Sequence, residues 1–391
     1  MYRNKRLEWS VKMMEIEDLT FDELYEANKC MQCGMCTGGC PVSLRSDLNI
    51  RKMMRIIHLG KNEDVKDVPE IWDCTSCGTC TDRCPRNLKP SEVIVGMRSI
   101  LIEEGDVPVT IRDALEGVYN DNNPWGGVKA KRSDWAEGLN IKEMSQGGEA
   151  EYLLYVGCTA SYDTRVQEVV KSAVNLLNKL GIDFGILGTV EPCCGSEVKA
   201  MGERGLFEMM VEDNIEIFKE YKTKKMVTLS PHAYDTFENE YEGKDFEVYH
   251  YTQFLSDLIY DGVLSSDNLN DFEKTVVFHD PCHLGKINKI FEEPRMVLEE
   301  IPGIKYLEFG ANRERSLCCE GGGGRMWSES VGKGERNAVK RVKEAVRLGA
   351  DVIAVCCPFC LLTLEDAVKI SGFEGEIEVM DIFEILNDCS K

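Results

Sequence analysis

The pattern of apolar and polar positions divides the chain into strand and helix segments from residue 152 onward. Continuous apolar runs at 152–158 (YLLYVGC) and 275–282 (TVVFHDPC) predict strands that are buried on both faces. After the first run, the chain from Val166 to Leu180 places apolar side chains at helical spacing, and Gly181 ends that helix. Strands that alternate with helices predict α/β units, each built on a parallel sheet.

The same segments occur twice, which predicts a duplicated domain. The distance between equivalent residues drifts by only a few positions: 124 from Cys158 to Cys282, 125 from Cys193 to Cys318, 127 from Ser230 to Cys357 and 131 from Val248 to Val379. Such a drift is typical of a duplication with small loop insertions. We therefore predict a first copy over residues 151–268 and a second copy over residues 269–391.

The N-terminal part of the chain shows helical spacing instead. The segment Thr20–Glu23 has the pattern of a capping box that opens a helix. Apolar residues at positions 50, 53, 54 and 57 predict another helix, which ends at Gly60. Residues 106–150 contain prolines, glycines and a basic patch at Lys129–Arg132, a composition that predicts a surface connector.

Two cysteine runs with the spacing C-x2-C-x2-C-x3-C-P begin at Cys30 and Cys74. This spacing is typical of a protein that binds two [4Fe-4S] cubanes, in which the fourth cysteine of each run ligates the other cluster. The expected ligands are Cys30, Cys33, Cys36 and Cys84 for one cubane and Cys74, Cys77, Cys80 and Cys40 for the other. Structural zinc is the alternative, but it does not account for the proline after each fourth cysteine. We therefore predict an α-helical ferredoxin domain over residues 1–105.

The second copy carries five more cysteines at the ends of its predicted strands, where open parallel sheets place their sites. They are Cys282, Cys318, Cys319, Cys357 and Cys360. Two adjacent cysteines fit poorly around a single iron, but they can bridge neighbouring irons of a larger cluster. We therefore expect a metal site here. Two residues beside these cysteines are candidate proton donors, His283 and Glu320.

The first copy departs from this pattern. Cys158, Cys193 and Cys194 are present, but Ser230-Pro-His-Ala233 stands where the second copy has its final CxxC. Neither serine nor alanine replaces a thiolate ligand. Three alternatives remain open: the first site is empty, it holds a smaller centre, or it binds zinc through the three cysteines and His232.

Composition and charge exclude several classes of function. The formal net charge of −22 repels nucleic acid and anionic membrane surfaces. No apolar run approaches the roughly 18–20 residues that span a bilayer, and the N-terminus lacks the apolar stretch of a signal peptide. The 18 cysteines of such a chain favour metal ligation in a reducing, cytoplasmic compartment. Because the sequence has no flavin, nicotinamide or haem motif, we expect electrons to arrive from another protein.

The spacing C-x35-CC-x37-CxxC of the second copy resembles the cysteine-rich CCG domain of heterodisulfide reductases. The N-terminal part, with IWDCTSCGTCTDRCPRNLKP, resembles the C subunit of that enzyme, and the fusion of both parts resembles its D subunit. The resemblance implies that the five cysteines of the second copy ligate one noncubane [4Fe-4S] cluster beside a substrate disulfide. It also implies the mixed disulfide of coenzymes M and B, or a related disulfide, as the substrate.

Two functions are compatible with this layout, an α+β multidomain fold in which an N-terminal α-helical ferredoxin is followed by two repeated α/β CCG domains. In the preferred hypothesis the chain is an enzyme that passes electrons through two cubanes to a disulfide. In the alternative it resembles the iron–sulfur subunits of glycolate, lactate and glycerol-3-phosphate dehydrogenases, which pass electrons from a flavoprotein towards quinone. The expected electron donor is a flavoprotein, a subunit linked to hydrogenase or formate dehydrogenase, or a membrane cytochrome b subunit. We expect a hetero-oligomer, in which any contact with a membrane comes through the partner subunit.

Overall fold

The computed structural model describes residues 26–328 and 332–391. The capping box predicted at Thr20–Glu23 therefore lies outside the described residues. The described chain folds into an N-terminal helical unit, a segment that crosses to the first sheet, and two α/β repeats. This arrangement confirms the predicted fold class.

The N-terminal unit is helical and has no strand in its described residues. Its helices are α1 Met35–Gly39, α2 Ile50–His58, α3 Thr79–Asp82 and α4 Pro90–Glu103. The helix that the sequence predicts to end at Gly60 is confirmed as α2. The side chain of Asn49 caps α2 by accepting from the backbone N–H of Lys52 at 3.0 Å. The apolar face of α2 is buried in a core that contains ferredoxin residues alone.

The two cysteine runs adopt the same local fold. Each run turns into a short helix, α1 or α3, directly after a glycine in left-handed backbone, Gly34 with φ 82° or Gly78 with φ 71°. Other residues rarely adopt this conformation, because their Cβ atom clashes with the backbone. The glycine therefore allows the closely spaced cysteines of each run to share one tight loop.

Residues 106–150 hold more structure than a surface connector. They contain α5 Val109–Asp121, which ends at Asn122 in left-handed backbone, and β1 Lys142–Glu143, which pairs with the first sheet. Arg132, the last residue of the predicted basic patch, is buried and forms an ion pair with Glu191. The expectation of a surface position is therefore wrong for Arg132, because a buried carboxylate holds its guanidinium inside the protein.

Each repeat contains a parallel sheet. The first sheet has the order β1-β3-β2-β4-β5, with β2 Tyr152–Tyr155, β3 Phe184–Ile186, β4 Lys225–Thr228 and β5 Glu247–His250. The second has the order β7-β6-β8-β9, with β6 Thr275–Phe278, β7 Lys305–Leu307, β8 Val352–Val355 and β9 Glu378–Asp381. Apart from the extra edge strand β1, the two orders are the same. The duplicated, parallel α/β unit is confirmed.

Helices cover both sheets and pack reciprocally across the boundary between the repeats. Those of the first repeat are α6 Cys158–Tyr162, α7 Thr164–Lys179, α8 Ser196–Met201, α9 Arg204–Glu220, α10 Pro231–Asn239 and α11 Tyr251–Tyr260. Those of the second, after a π-helical turn at His283–Ile287, are α12 Glu292–Glu299, α13 Asn337–Leu348, α14 Pro358–Ser371 and α15 Ile382–Cys389. An early helix of each repeat packs on the closing helix of the other, α7 on α15 and α12 on α11. One apolar core accordingly runs through both repeats.

Arg98 joins the three parts of the chain. Its buried guanidinium donates to the carbonyls of Ile71 and Cys74 in the ferredoxin, Ala200 in the first repeat and Gly323 in the second, at 2.6–3.1 Å. Hydrogen bonds from a charged donor are stronger than those between neutral groups. These contacts therefore fix the second cysteine loop against both repeats. Among the described helices, none is both long enough and apolar enough to cross a bilayer.

Candidate iron–sulfur centres

The first group of cysteines, called the distal set, lies at the surface of the ferredoxin. Cys30, Cys33, Cys36 and Cys84 line one cavity, so the fold brings the last cysteine of the second run to the first three of the first run. Cys33 is exposed and the other three are half-buried. This grouping is the one that the crossed ligand pattern of two-cluster ferredoxins requires.

The second group, called the proximal set, is buried between the ferredoxin and the repeats. It contains Cys40, Cys74, Cys77 and Cys80, each 6–8% exposed. Burial and the nearby Cys77 raise the pKa of Cys40 to about 12, and burial also raises the pKa of Cys80. Such thiols become thiolates only beside a cationic group, which a four-iron cluster supplies. The chemistry of the proximal set therefore fits a cluster.

A single zinc ion fits neither ferredoxin set. The sulfurs around one tetrahedral zinc lie within about 4 Å of one another, because each Zn–S bond is about 2.3 Å long. In the part of the chain that the structure describes, three His, Cys, Asp or Glu ligand atoms come within 4.8 Å of one another only at His279, Cys319 and Cys360. The sulfurs of the ferredoxin sets are spread more widely, as they are when each binds a different iron.

The five cysteines of the second repeat, called the C-terminal set, meet at the carboxyl edge of its sheet. Cys282 follows β6, Cys318 and Cys319 lie in the loop after β7, and Cys357 and Cys360 flank the start of α14. The sulfurs of Cys319 and Cys360 are 3.3 Å apart. Cys282 and Cys318, Cys318 and Cys319, and Cys357 and Cys360 are close enough for each pair to shift one another's pKa values. The structure therefore brings together all five cysteines that the sequence singles out.

The proximal set touches the C-terminal set. Cys77 lies close enough to Cys282 and Cys318 to raise the pKa of Cys282 and to lower that of Cys318. The Cys318 thiol donates to the hydroxyl of Thr75 at 3.5 Å, and the ammonium of Lys286 lies 4.0 Å from the sulfur of Cys282. The ferredoxin loop and the second repeat therefore meet at one site.

The glycine run at 321–324 makes this contact possible. A Cβ atom on Gly322 would lie 2.9 Å from the carbonyl oxygen of Thr75, and one on Gly323 would lie 2.5 Å from that of Cys74. Carbon atoms of real side chains do not approach main-chain oxygens so closely. Glycine is therefore required here, because the backbone of the second repeat lies directly on the proximal loop.

Glu320, one of the two candidate proton donors, links the second repeat to the ferredoxin. Its carboxylate accepts from the guanidinium of Arg45 at 3.1 Å and from the backbone N–H of Asn337 at 3.2 Å. Burial raises the pKa of Glu320, and Arg45 opposes that shift. These contacts give Glu320 a structural role, and its role as a proton donor stays a prediction.

His232 of the first repeat reaches the C-terminal set of the second. Its Nδ1 lies 3.0 Å from Glu197, and its ring lies near Cys357. Burial alone would lower the pKa of His232, but its interactions with Cys357 and Glu197 raise it to about 10. Its ring stacks on that of His283 with 4.0 Å between centroids, and Nδ1 of His283 lies 2.8 Å from Asp235. The two imidazoles thus form a layer beside the C-terminal set.

The structure adds His279 to this region, a residue that the sequence analysis does not single out. Burial lowers the pKa of His279 to about 3, so its imidazole is neutral. Its Nε2 has no hydrogen-bond partner among the described residues. A neutral imidazole offers a lone pair or an N–H to whatever the neighbouring cysteines hold. In the sequence, the feature that points to His279 is its position directly after β6, three residues before Cys282.

The first repeat holds a cation where the second repeat holds its cysteine set. Both terminal nitrogens of Arg132 lie 3.6 Å from the sulfur of Cys158. Cys193 and Cys194 lie beside Cys158, whereas His232 lies near Cys357 of the other repeat. Within the described chain, the ligand atoms of these four residues do not come within 4.8 Å of one another as a group. Which of the three alternatives applies to the first repeat stays a prediction.

Comparisons with known proteins agree with this division of the chain. A family model for a 4Fe-4S dicluster domain matches residues 26–88, and one for a cysteine-rich (CCG) domain matches residues 152–237 and 276–365. The chain is 30% identical to the D subunit of the dihydromethanophenazine:CoB–CoM heterodisulfide reductase of Methanosarcina barkeri, over 96% of this chain and 97% of that protein. It belongs to this family of iron–sulfur oxidoreductases.

The chain is also similar to two proteins with other names. The chain is 32% identical, over 95% of its length, to the probable iron-sulfur-binding oxidoreductase FadF of Bacillus subtilis. It is equally similar, over the same share, to the EtfAB:quinone oxidoreductase of Syntrophomonas wolfei. The chain spans 61% and 59% of the length of these two proteins. The oxidoreductase class is therefore common to the family, whereas the reactions that the names state differ.

Proposed function

We propose that this heterodisulfide reductase D-like chain takes up electrons at the distal set and uses them to reduce a disulfide at the C-terminal set. The distal and proximal sets would each hold a [4Fe-4S] cubane, and the five cysteines of the C-terminal set would hold a noncubane [4Fe-4S] cluster; when bound, these groups supply one-electron transfers. The reaction takes two electrons and two protons, breaks one S–S bond and releases two thiols. The contact of Cys77 with Cys282 and Cys318 is the observation that carries this proposal.

The order of the three sets supports an inward path. The distal set lies at the surface, the proximal set is buried, and Cys77 joins the proximal set to the C-terminal set. Arg98 and the glycine run hold the proximal loop in place. An electron that enters at the surface therefore has a fixed, protein-enclosed route to the second repeat.

Side chains of this chain supply charge and a proton beside the C-terminal set. Burial opposes the charge of Lys286, but Cys282 and neighbouring sulfurs raise the pKa of Lys286, so its ammonium stays protonated. A fixed cation stabilises the negative charge of a thiolate as it forms. His283, whose Nε2 has no partner among the described residues, is better placed to donate a proton than Glu320, which Arg45 engages.

Arg132 favours a second candidate function. Its guanidinium lies 3.6 Å from the sulfur of Cys158, which supports a first repeat without a cluster, and a disulfide would then not be held between two clusters. The protein would then be an electron-transfer subunit that passes electrons from a flavoprotein towards quinone through a partner. The EtfAB:quinone oxidoreductase of Syntrophomonas wolfei, a relative of similar identity, is named for such a reaction.

Anaerobic turnover separates the two functions. The protein is reduced with a viologen dye and mixed with candidate disulfides, including the mixed disulfide of coenzymes M and B, while thiols are counted and EPR spectra are recorded. Release of two thiols per disulfide, with a new paramagnetic signal that depends on thiol, supports the reductase. Absence of thiol release, together with rapid reoxidation by a quinone analogue in the presence of a copurifying partner, overturns it in favour of the second function.

A further inference from the structure

The surface around the distal set carries positive charge in a chain of net charge −22. Helix α2 presents Arg51, Lys52 and Arg55 to solvent and contains no acidic residue. Arg86 adds a fourth exposed cation and lines the cavity of the distal set. Within the described chain none of these four cations forms an ion pair, so their charge is not compensated.

These cations lie beside the most exposed cysteine of the ferredoxin. Arg51, Lys52 and Arg55 line a groove on this surface. Arg51 and both chain neighbours of Cys33 line this groove and also the cavity of the distal set. The groove therefore opens next to Cys33, the exposed member of the set. A protein that binds in the groove comes close to the point where we propose that electrons enter.

Two exposed methionines complete this surface. Met31 is 63% exposed and Met35 is 51% exposed, and both belong to the first cysteine run. Flexible apolar side chains surrounded by charge are typical of surfaces that contact other proteins, and methionine adapts to varied partners. Exposed methionines beside cations that are unpaired within the described chain therefore favour a protein-binding surface over an ordinary solvated helix face.

We infer that the distal face, formed by Met31, Met35, Arg51, Lys52, Arg55 and Arg86, docks an electron-carrier protein whose own docking surface is acidic. This inference rests on the proposed function, because it takes the distal set as the place where electrons enter. Opposite charges speed association and orient the two proteins, and salt weakens the effect. The face thus determines which donors deliver electrons rapidly.

Stopped-flow reduction by a small, acidic, prereduced ferredoxin tests the inference. The test variant is Lys52→Glu with Arg55→Glu, and Lys52→Gln with Arg55→Gln is its neutral counterpart; both residues line the groove and neither lines the cavity of the distal set. Lys219→Glu is the control, because Lys219 is exposed at the end of α9 near the amino edge of the first sheet, away from the ferredoxin. At low salt we expect the second-order rate constant to fall at least about tenfold in the double Glu variant and less in the Gln variant. We expect Lys219→Glu to be reduced by the ferredoxin at the wild-type rate. Viologen is a small cation, so we expect it to reduce no variant more slowly than wild type.

Other outcomes overturn the inference in distinguishable ways. An unchanged rate with the ferredoxin in the double Glu variant removes the docking role and leaves the proposed function intact. Equal loss with ferredoxin and with viologen, or loss of iron from the variant, shows that Lys52 and Arg55 serve cluster assembly. Loss of sedimentation with phosphatidylglycerol vesicles, at an unchanged ferredoxin rate, reassigns the face to a membrane surface. If viologen does not reduce the wild-type protein, the proposed function itself fails.

Discussion

At the scale of single residues, Arg132 changes the chemistry of a whole site. In a thiolate site the charge of the metal balances the charge of the sulfurs. Here a guanidinium lies beside Cys158, and Glu191 balances it at 3.0 Å. Glu191 also accepts from the backbone N–H groups of Val156 and Gly157, each at 2.9 Å. A protein-borne cation, paired with a buried carboxylate, therefore lies beside the sulfur of Cys158.

Removing this cation is expected to destabilise the protein strongly. In Arg132→Met, the buried carboxylate of Glu191 loses its partner, which should lower the free energy of unfolding by about 3–5 kcal/mol. The double variant Arg132→Met with Glu191→Leu should recover only part of the lost stability, because two backbone N–H groups then lack an acceptor. The surface pair of Arg313 with Glu292 is the control, and Arg313→Met should cost at most about 1 kcal/mol. Urea denaturation under anaerobic conditions measures all three, and equal losses in the two single variants would contradict the role of Arg132.

At the scale of elements, the last helices of the two repeats begin in the same way. The strands β5 and β9 end on His250 and Asp381, and each of these residues forms a capping box with the helix that follows. The hydroxyl of Tyr251 donates to Asp381 at 2.7 Å, and its ring stacks on Phe383 with 4.3 Å between centroids. One polar contact inside the apolar core thus joins the starts of α11 and α15.

This buried cap should make stability depend on pH. Burial raises the pKa of Asp381 from its ordinary 3.8 to about 8. Between those values the folded state keeps a proton that the unfolded chain has lost, so stability falls as the pH rises through this window. Asp381→Asn keeps an acceptor for Tyr251, and we expect it to melt higher than wild type at pH 8 and to show a flatter profile from pH 5 to pH 8. Asp366→Asn, at an exposed position, is the control. A profile as steep in Asp381→Asn as in wild type would assign the pH dependence to other groups.

The glycine run provides a second test at this scale. In Gly323→Ala, a Cβ atom would lie 2.5 Å from the carbonyl oxygen of Cys74, and φ is 69°. Gly375 has a similar φ of 80° but open space around its Cβ position, so Gly375→Ala measures the backbone strain alone, about 1–2 kcal/mol. We expect Gly323→Ala to lose another 1–3 kcal/mol or so through the clash, and to release iron to a chelator faster. Similar behaviour of the two variants would mean that the proximal loop is not held by this contact.

At the scale of the whole molecule, the sequence predicts which cysteines group together better than it predicts the residues that surround each group. Cysteine spacing is a local signal, and the crossed placement of Cys40 and Cys84 follows from it. The partners of Arg132 and His232 depend instead on loops that only the tertiary fold brings together. Helix α5 escapes prediction for a related reason, because the prolines, glycines and asparagines around it dominate the composition of its segment.

The number of clusters per chain is the prediction at this scale. Two cubanes and one noncubane cluster correspond to about 12 irons per chain. Cys193 and Cys318 occupy equivalent positions in the two repeats, and both are buried. We expect Cys318→Ser to retain about 8 irons and Cys193→Ser to retain about 12. Iron analysis of the anaerobically purified variants measures the number of irons per chain. A loss of four irons in Cys193→Ser would show that the first repeat binds a cluster after all.

The reciprocal packing of α7 on α15 and of α12 on α11 has a consequence for how the two halves diverged. Two identical subunits around a two-fold axis would show the same packing, but in such a dimer every substitution appears twice. A change that abolished one metal site would abolish both. Covalent fusion of the copies removes that coupling, so Ser230–Ala233 could lose two thiols while Cys357–Cys360 kept them. In this chain His232 of that loop lies near Cys357 of the second copy. A fused tandem chain can therefore have two different sites, whereas a symmetric homodimer cannot.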